Sequence, residues 1–379
     1  MVLILISSSI ISFGQHDSLY SVLDTAQNIN RVNTLNELCI ATINASPHKA
    51  LEFSKEALEL SITLQYKKGM ASSYNNLGVI FKNHGMYDRA LDYYIKSVGI
   101  NDSLQNHTDV AFTKSNIGTI YSLKGDSERA LTHFLDSYEI IRKTNNKDKI
   151  VGLLNNIGNA YVEMNNLSKA LTYFSEAVEM YEKNGQKHKS YEPLNNLGNI
   201  YFFQEQYSKA LDYYSLSLLI EQESNNISGQ AYSHNNIGAT YLKLGNYPKA
   251  EEHQLIALDL ALQVNDQPIL QSIYKVLSET YYAQRKLEEA YLTLLKYDEV
   301  KEFVYNYESS RKLAKLELAL ELEEKEKEID IGQKEVEIHT LEDKNEQTFA
   351  IVIMMGGMLV LAALYIVYTM KRHKRKEAK

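Results

Sequence analysis

One feature constrains the fold of this 379-residue chain more than any other: a repeat with a period of 40 residues. The pattern Asn/Ser-Asn-Leu/Ile-Gly-x-x-Tyr/Phe begins at Asn75, Ser115, Asn155, Asn195 and Asn235. Alanines recur at the same step at Ala50, Ala90, Ala130, Ala170, Ala210, Ala250 and Ala290. The repeat predicts a stack of about seven similar units, in which the first and last are degenerate because they end the stack.

Each unit has the pattern of two helices. Apolar residues at steps of three and four lie on one face of a helix, and no strand-like alternation interrupts them. Two helices can approach closely only where side chains are small. The residues that let them do so are the glycines of the first helix, Gly78, Gly118, Gly158, Gly198 and Gly238, and the alanines of the second, Ala90, Ala130, Ala170, Ala210 and Ala250. The sequence therefore predicts an all-α fold of stacked hairpins.

Turn residues fall between the predicted helices. Gly85, Gly125 and Gly245 suit the left-handed position that ends a helix. Asp126, Asn166 and Asn246 are expected to cap the N-terminus of the second helix.

These units resemble tetratricopeptide repeats, whose pattern places Leu-Gly-x-x-Tyr on the first helix and Ala followed by Phe or Tyr on the second. The resemblance implies a right-handed superhelix over residues 16–304, with a concave face formed by the first helices. The 40-residue unit is longer than the usual 34 residues. The order of segments is similar to the sensor half of membrane-bound tetratricopeptide histidine kinases and transcriptional regulators of Bacteroidetes-type bacteria.

In relatives, an asparagine ladder on the first helices holds the backbone of a bound peptide. The matching positions here are Asn76, Asn116, Asn156, Asn196 and Asn236, and Asn159 and Asn199 lie on nearly the same face three residues later. A side-chain amide can donate to and accept from one peptide unit. The same amides could instead bond the neighbouring helix and hold the stack together, and the sequence leaves both interpretations open.

The composition disfavours other classes of function. A net charge of −8 argues against a nucleic-acid surface, and the single cysteine, Cys39, leaves no cysteine-based metal site. Phosphate-binding and nucleophile motifs are absent, and the histidines are scattered. We therefore expect a protein that binds a protein or peptide, with no enzymatic activity, no cofactor and no metal.

The two ends differ from the repeats. Residues 1–15 resemble a signal peptide, although basic residues do not precede the apolar stretch. Residues 305–347 predict a charged helix that could pair weakly with a second copy as a coiled coil. The uncharged run 348–370 predicts a transmembrane helix, and the basic residues in 371–379 predict a cytoplasmic tail. This topology would place the array in the periplasm, anchored by one span in the cytoplasmic membrane.

The leading hypothesis is a membrane-anchored adaptor or sensor whose concave face binds a peptide or a partner protein. Only nine residues follow Met370, which leaves no room for a kinase or helix-turn-helix domain. One alternative is therefore a truncated or split sensor module of such a regulator. Another is a tail-anchored cytoplasmic scaffold. It would require the basic tail to cross the membrane, against the rule that basic residues stay on the cytoplasmic side.

Overall fold

A computed structural model describes residues 19–143 and 147–377, and within these ranges it contains helices and no strands. Seven consecutive hairpins begin at Asn28, and the last helix continues far beyond the seventh hairpin. Their helices are α1 (Asn28–Thr42), α2 (Pro47–Thr63), α3 (Lys67–Asn83), α4 (Tyr87–Ser103), α5 (His107–Leu123), α6 (Ser127–Ile141), α7 (Lys147–Glu163), α8 (Leu167–Lys183), α9 (Tyr191–Phe203), α10 (Tyr207–Glu223), α11 (Ile227–Lys243), α12 (Tyr247–Val264), α13 (Gln267–Ala283) and α14 (Leu287–Glu377). A 3₁₀ turn, Lys187–Lys189, precedes α9. The predicted all-α stack of hairpins is confirmed.

The second to fifth hairpins are each closed by a ring that lies against a glycine. A methyl group on Gly198 of α9 would lie 2.6 Å from the ring of Tyr214 on α10. The same contact joins Gly118 to Phe134 and Gly158 to Phe174. Because these distances are far below van der Waals contact, the glycines let the helices approach until the rings are buried.

A second contact between the two helices is polar and repeats in phase. The hydroxyl of Ser97 on α4 donates to the carbonyl of Ala71 on α3 at 2.8 Å. Forty residues later, Ser137 donates to the carbonyl of Ala111 at 2.6 Å. These buried bonds fix the axial register of the two helices, which the apolar contacts alone leave free to slide.

The turns have the predicted chemistry. Gly85, Gly125 and Gly245 have φ of 80°, 76° and 75°, so each occupies the left-handed position after its helix. The side chains of Asp126, Asn166 and Asn246 accept hydrogen bonds from the backbone N–H three residues ahead. Both sets of predictions are confirmed.

The C-terminal part of the chain corrects one prediction. Within the residues that the structure describes, no helix combines the length and the apolar character needed to cross a membrane. The transmembrane helix predicted over 348–370 is therefore wrong. These residues are not a separate element but the end of α14, a 91-residue helix that is continuous with the charged sequence before it.

The remaining predictions for the ends of the chain have different outcomes. The signal peptide predicted over 1–15 lies outside the described residues. Residues 305–347 are helical, as predicted, whereas their pairing with a second copy and the periplasmic location of the array stay predictions. Residues up to Ala319 form one compact unit, and residues from Leu320 form another.

The glycine–ring contact generates a prediction about stability. Gly198→Ala would push a methyl group into Tyr214, which costs about 1–3 kcal/mol through overpacking. Gly99→Ala is the matched control, because Gly99 also lies inside a helix but has nothing within 4 Å of the position that a methyl group would occupy. We expect the melting temperature, followed by circular dichroism, to fall for Gly198→Ala and to rise slightly for Gly99→Ala. Equal melting temperatures for the two variants would contradict the packing argument.

Candidate peptide-binding groove

The first helices of the three N-terminal hairpins line a groove, which contains a cleft of about 400 Å³. The cleft is lined by side chains that are mostly polar and come mainly from the first helices α1, α3 and α5, among them Asn33, Asn36, Glu37, Ile40, Ser72, Asn75, Asp109 and Phe112. The surface on which the asparagine ladder was predicted is thus a concave one in these three hairpins.

Two of the predicted ladder asparagines bond neighbouring hairpins. The buried side-chain amide of Asn76 donates to the side-chain oxygen of Asn36, 40 residues earlier, at 2.9 Å. The amide of Asn236 donates to the side-chain oxygen of Asn195 at 2.9 Å. Asn195 in turn donates to the hydroxyl of Ser233 at 3.3 Å. At these two ladder positions the amides hold the stack together.

The three ladder asparagines between them are different. Asn116, Asn156 and Asn196 lie half-buried on α5, α7 and α9. Among the residues that the structure describes, their side-chain amides have no hydrogen-bond partner. The neighbouring side-chain oxygen of Asn155 is buried and also lacks a partner. Three consecutive hairpins therefore present an unused donor and acceptor at the same repeat position.

The two additional candidates are not equivalent. Asn159 is exposed on α7. The side-chain oxygen of Asn199 accepts a hydrogen bond of 2.8 Å from the hydroxyl of Tyr214, the ring that lies against Gly198. Asn199 thus orients a core ring, and Asn159 remains available to a ligand.

A repeated stack of a cation and two rings was not recognised in the sequence. Lys169 lies 5.0 Å from the ring centroid of Tyr161, whose other neighbour is the ring of Tyr173 at 5.5 Å. The arrangement recurs in the next hairpin, where Lys209 lies 5.1 Å from the ring centroid of Tyr201 and the rings of Tyr201 and Tyr213 lie 5.3 Å apart. The signal was present, because a Lys or Arg precedes the repeat alanine by one residue at Arg89, Arg129, Lys169, Lys209 and Lys249.

In the sixth hairpin His253 takes the place of one ring of this stack, beside Tyr241, and a second histidine, His234, lies against it. The Nδ1 atoms of His234 and His253 lie 2.9 Å apart, so one imidazole donates to the other. Burial, aided by the proximity of His253, lowers the pKa of His234 to about 4. Burial also lowers the pKa of His253. The pair is therefore neutral at pH 7. Among the described residues, no cluster of three or more potential metal ligands occurs.

The comparison with known families agrees with this geometry. A tetratricopeptide repeat profile matches residues 69–143, 109–183, 149–222 and 229–294. The chain belongs to the tetratricopeptide repeat family. No curated protein matches it.

Solved structures share the architecture of the tetratricopeptide array. A Signal Transduction ATPase with Numerous Domains from Pyrococcus horikoshii, which has a tetratricopeptide repeat sensor, is 22% identical with a TM-score of 0.65; the match covers 77% of this chain and 45% of that one. The apo form of RapI is 15% identical with a TM-score of 0.56, over 73% of this chain and 99% of that one.

A third structure is a Rap protein complexed with Competence and Sporulation Factor. It is 14% identical with a TM-score of 0.51, and the match covers 77% of this chain and 80% of that one. At such low identities these likenesses establish the fold of the tetratricopeptide array and nothing about its ligand.

The histidine pair predicts an acid-sensitive stability. Because the pKa of His234 is lowered in the folded state, the unfolded state binds more protons, and stability falls as the pH drops from about 6.5 towards about 4. His234→Leu places at this position the residue found at Leu154 and Leu194 of two earlier repeats. We expect its melting temperature to fall less than that of the wild type between pH 7 and pH 5.

The control for this measurement is His107→Gln, which changes an exposed histidine on α5. This variant should keep the full acid sensitivity of the wild type. An equal fall in the melting temperatures of His234→Leu and the wild type between pH 7 and pH 5 would show that the histidine pair does not cause the acid sensitivity.

Proposed function

We propose that the tetratricopeptide array binds an extended peptide, or an extended segment of a partner protein, along the groove of its first helices. The observation that carries the proposal is the row of half-buried amides at Asn116, Asn156 and Asn196, which lack partners among the described residues. The N–H and C=O of a ligand backbone would satisfy both ends of each amide.

Recognition through the backbone has a consequence for specificity. Every peptide carries the same N–H and C=O groups, so the amide row binds extended chains with little regard to sequence. Selectivity would come from the side chains beside it. The cleft at the N-terminal end contains Glu37, Lys68 and Asp109 together with the exposed Ile40, so it offers charges of both signs and an apolar surface.

Two of the similar structures support a binding role for the array. One is a Rap protein complexed with Competence and Sporulation Factor. The other belongs to a signal-transduction ATPase in which the tetratricopeptide repeats are called a sensor. A binding array without chemistry of its own fits an adaptor, or the input module of a kinase or helix-turn-helix regulator. If the array is an input module, ligand binding would favour one curvature among those that the stack of hairpins samples.

The amide row can be tested by mutation. Peptides selected from a random library on the wild-type chain should bind about 100-fold more weakly to the triple variant Asn116→Ala, Asn156→Ala, Asn196→Ala. The estimate takes about 1 kcal/mol for each of three hydrogen-bonded amides. Fluorescence anisotropy with labelled peptides measures the affinity, and circular dichroism checks that the variant is folded.

Two controls separate binding from folding. Gln222→Ala removes an exposed amide from the second helix α10, away from the groove, and should leave the affinity unchanged. Asn76→Ala removes an amide that joins two hairpins, so it should lower the melting temperature. Unchanged affinity in a well-folded triple variant would disprove the role of the amide row.

A further inference from the structure

The first part of α14 carries a regular stripe of residues. Six residues follow one another at alternating steps of four and three residues: Leu287, Tyr291, Leu294, Asp298, Lys301 and Tyr305. This is the spacing at which the side chains of a helix face a single partner helix along a coiled-coil seam. We call these six residues the α14 seam, and all of them belong to the unit that ends at Ala319.

The repeat position of Leu294 is buried in the earlier hairpins. Tyr214 and Phe174, which correspond to Leu294, are 2% and 0% exposed. Tyr214 shares a buried cluster with Ile237 of α11, the first helix of the following hairpin. Each hairpin thus covers the second helix of the one before it.

On α14 the apolar residues of the seam are exposed. Leu294 is 46% exposed, and Tyr291 is 61% exposed. Leu287 and Tyr305 are exposed as well. Through residue 377 the described chain continues as one helix, so it supplies no eighth hairpin to cover them. A stripe of large apolar side chains in water is unfavourable, and its continuity with the interface between hairpins indicates a helix as its partner.

The charges in the middle of the α14 seam identify that helix. Asp298 and Lys301 lie one turn apart and are both exposed. If a second copy of α14 runs antiparallel, with a two-fold axis between these residues, Asp298 meets Lys301 of the second copy. The same axis sets Leu294 against Tyr305 of the second copy, so the four seam residues from Leu294 to Tyr305 pair with one another, whereas Tyr291 and Leu287 meet Glu308 and Lys312. A self-complementary surface of this kind is what a two-fold dimer requires.

We propose that two copies of this protein associate through the α14 seam as an antiparallel helix pair. Apart from Tyr305, this surface lies before the segment 305–347 for which the sequence predicted weak pairing. The proposal does not depend on what the groove binds. The two Asp298–Lys301 pairs related by the axis select the antiparallel register, because any parallel pairing in register sets like charges against each other.

A charge exchange tests this arrangement in the full-length chain. Sedimentation analysis over a range of concentrations should show the wild type as a dimer. Asp298→Lys and Lys301→Asp each create two like-charged pairs and should raise the dissociation constant about tenfold or more. The double variant Asp298→Lys, Lys301→Asp restores opposite charges and should dimerise like the wild type.

The matched control exchanges an ion pair on the same helix but off the seam. Lys296 and Glu299 form a salt bridge with an Nζ–Oε2 distance of 2.8 Å, and both side chains are exposed. The variants Lys296→Glu and Glu299→Lys should dimerise like the wild type. A loss of dimer affinity in these variants would show that net charge alone, and not the seam, is responsible.

Engineered cysteines test the register. Cys39 is fully buried, so Leu294→Cys and Tyr305→Cys would provide the reactive thiols. A mixture of the two variants should form the mixed disulfide between positions 294 and 305. A wild type that stays monomeric, a charge exchange without rescue, or disulfides that join position 294 only to itself would each overturn the proposal.

Discussion

The contact between a glycine of the first helix and a ring of the second is the constraint on which the rest of the structure depends. Gly198 and Tyr214 show why: the ring occupies the volume that any side chain at 198 would need. The contact sets the distance between the two helices of a hairpin. Since the hairpins recur every 40 residues, a small change in that distance would be repeated along the stack. The glycines therefore set how closely the two helices pack in the hairpins that contain this contact.

The stacks of a cation and two rings act beside this contact. Each one, such as Lys169 over Tyr161 and Tyr173, contributes only about 0.5–1 kcal/mol at an exposed site. Their effect comes from repetition, because the same geometry joins the two helices in successive hairpins. With the core contacts and these stacks in place, the amides of Asn116, Asn156 and Asn196 are not needed to hold the fold. That freedom is what makes them available to a ligand.

The sequence predicted the parts of the structure that depend on local chemistry. Helix spacing, the glycine turns and the asparagine caps all follow from residues within one unit. The roles of the ladder asparagines depend on residues in other units and could not be deduced locally. Asn76 bonds Asn36, which lies in a degenerate first unit without the motif. The transmembrane prediction failed for a different reason: it rested on the absence of charge in one segment, whereas no helix among the described residues combines the length and apolar character that a span needs.

A stack in which each hairpin touches only its neighbours is most stable in the middle and least stable at its ends. The unused amides of Asn116, Asn156 and Asn196 lie in the third, fourth and fifth hairpins, each of which is supported on both sides. A ligand bound there meets a preformed surface and loses little affinity to ordering. The seventh hairpin has a neighbour on one side only, and its free side exposes Tyr291 and Leu294. A second copy at this face would supply the missing neighbour, so the association would stabilise the weakest end of the array without touching the groove.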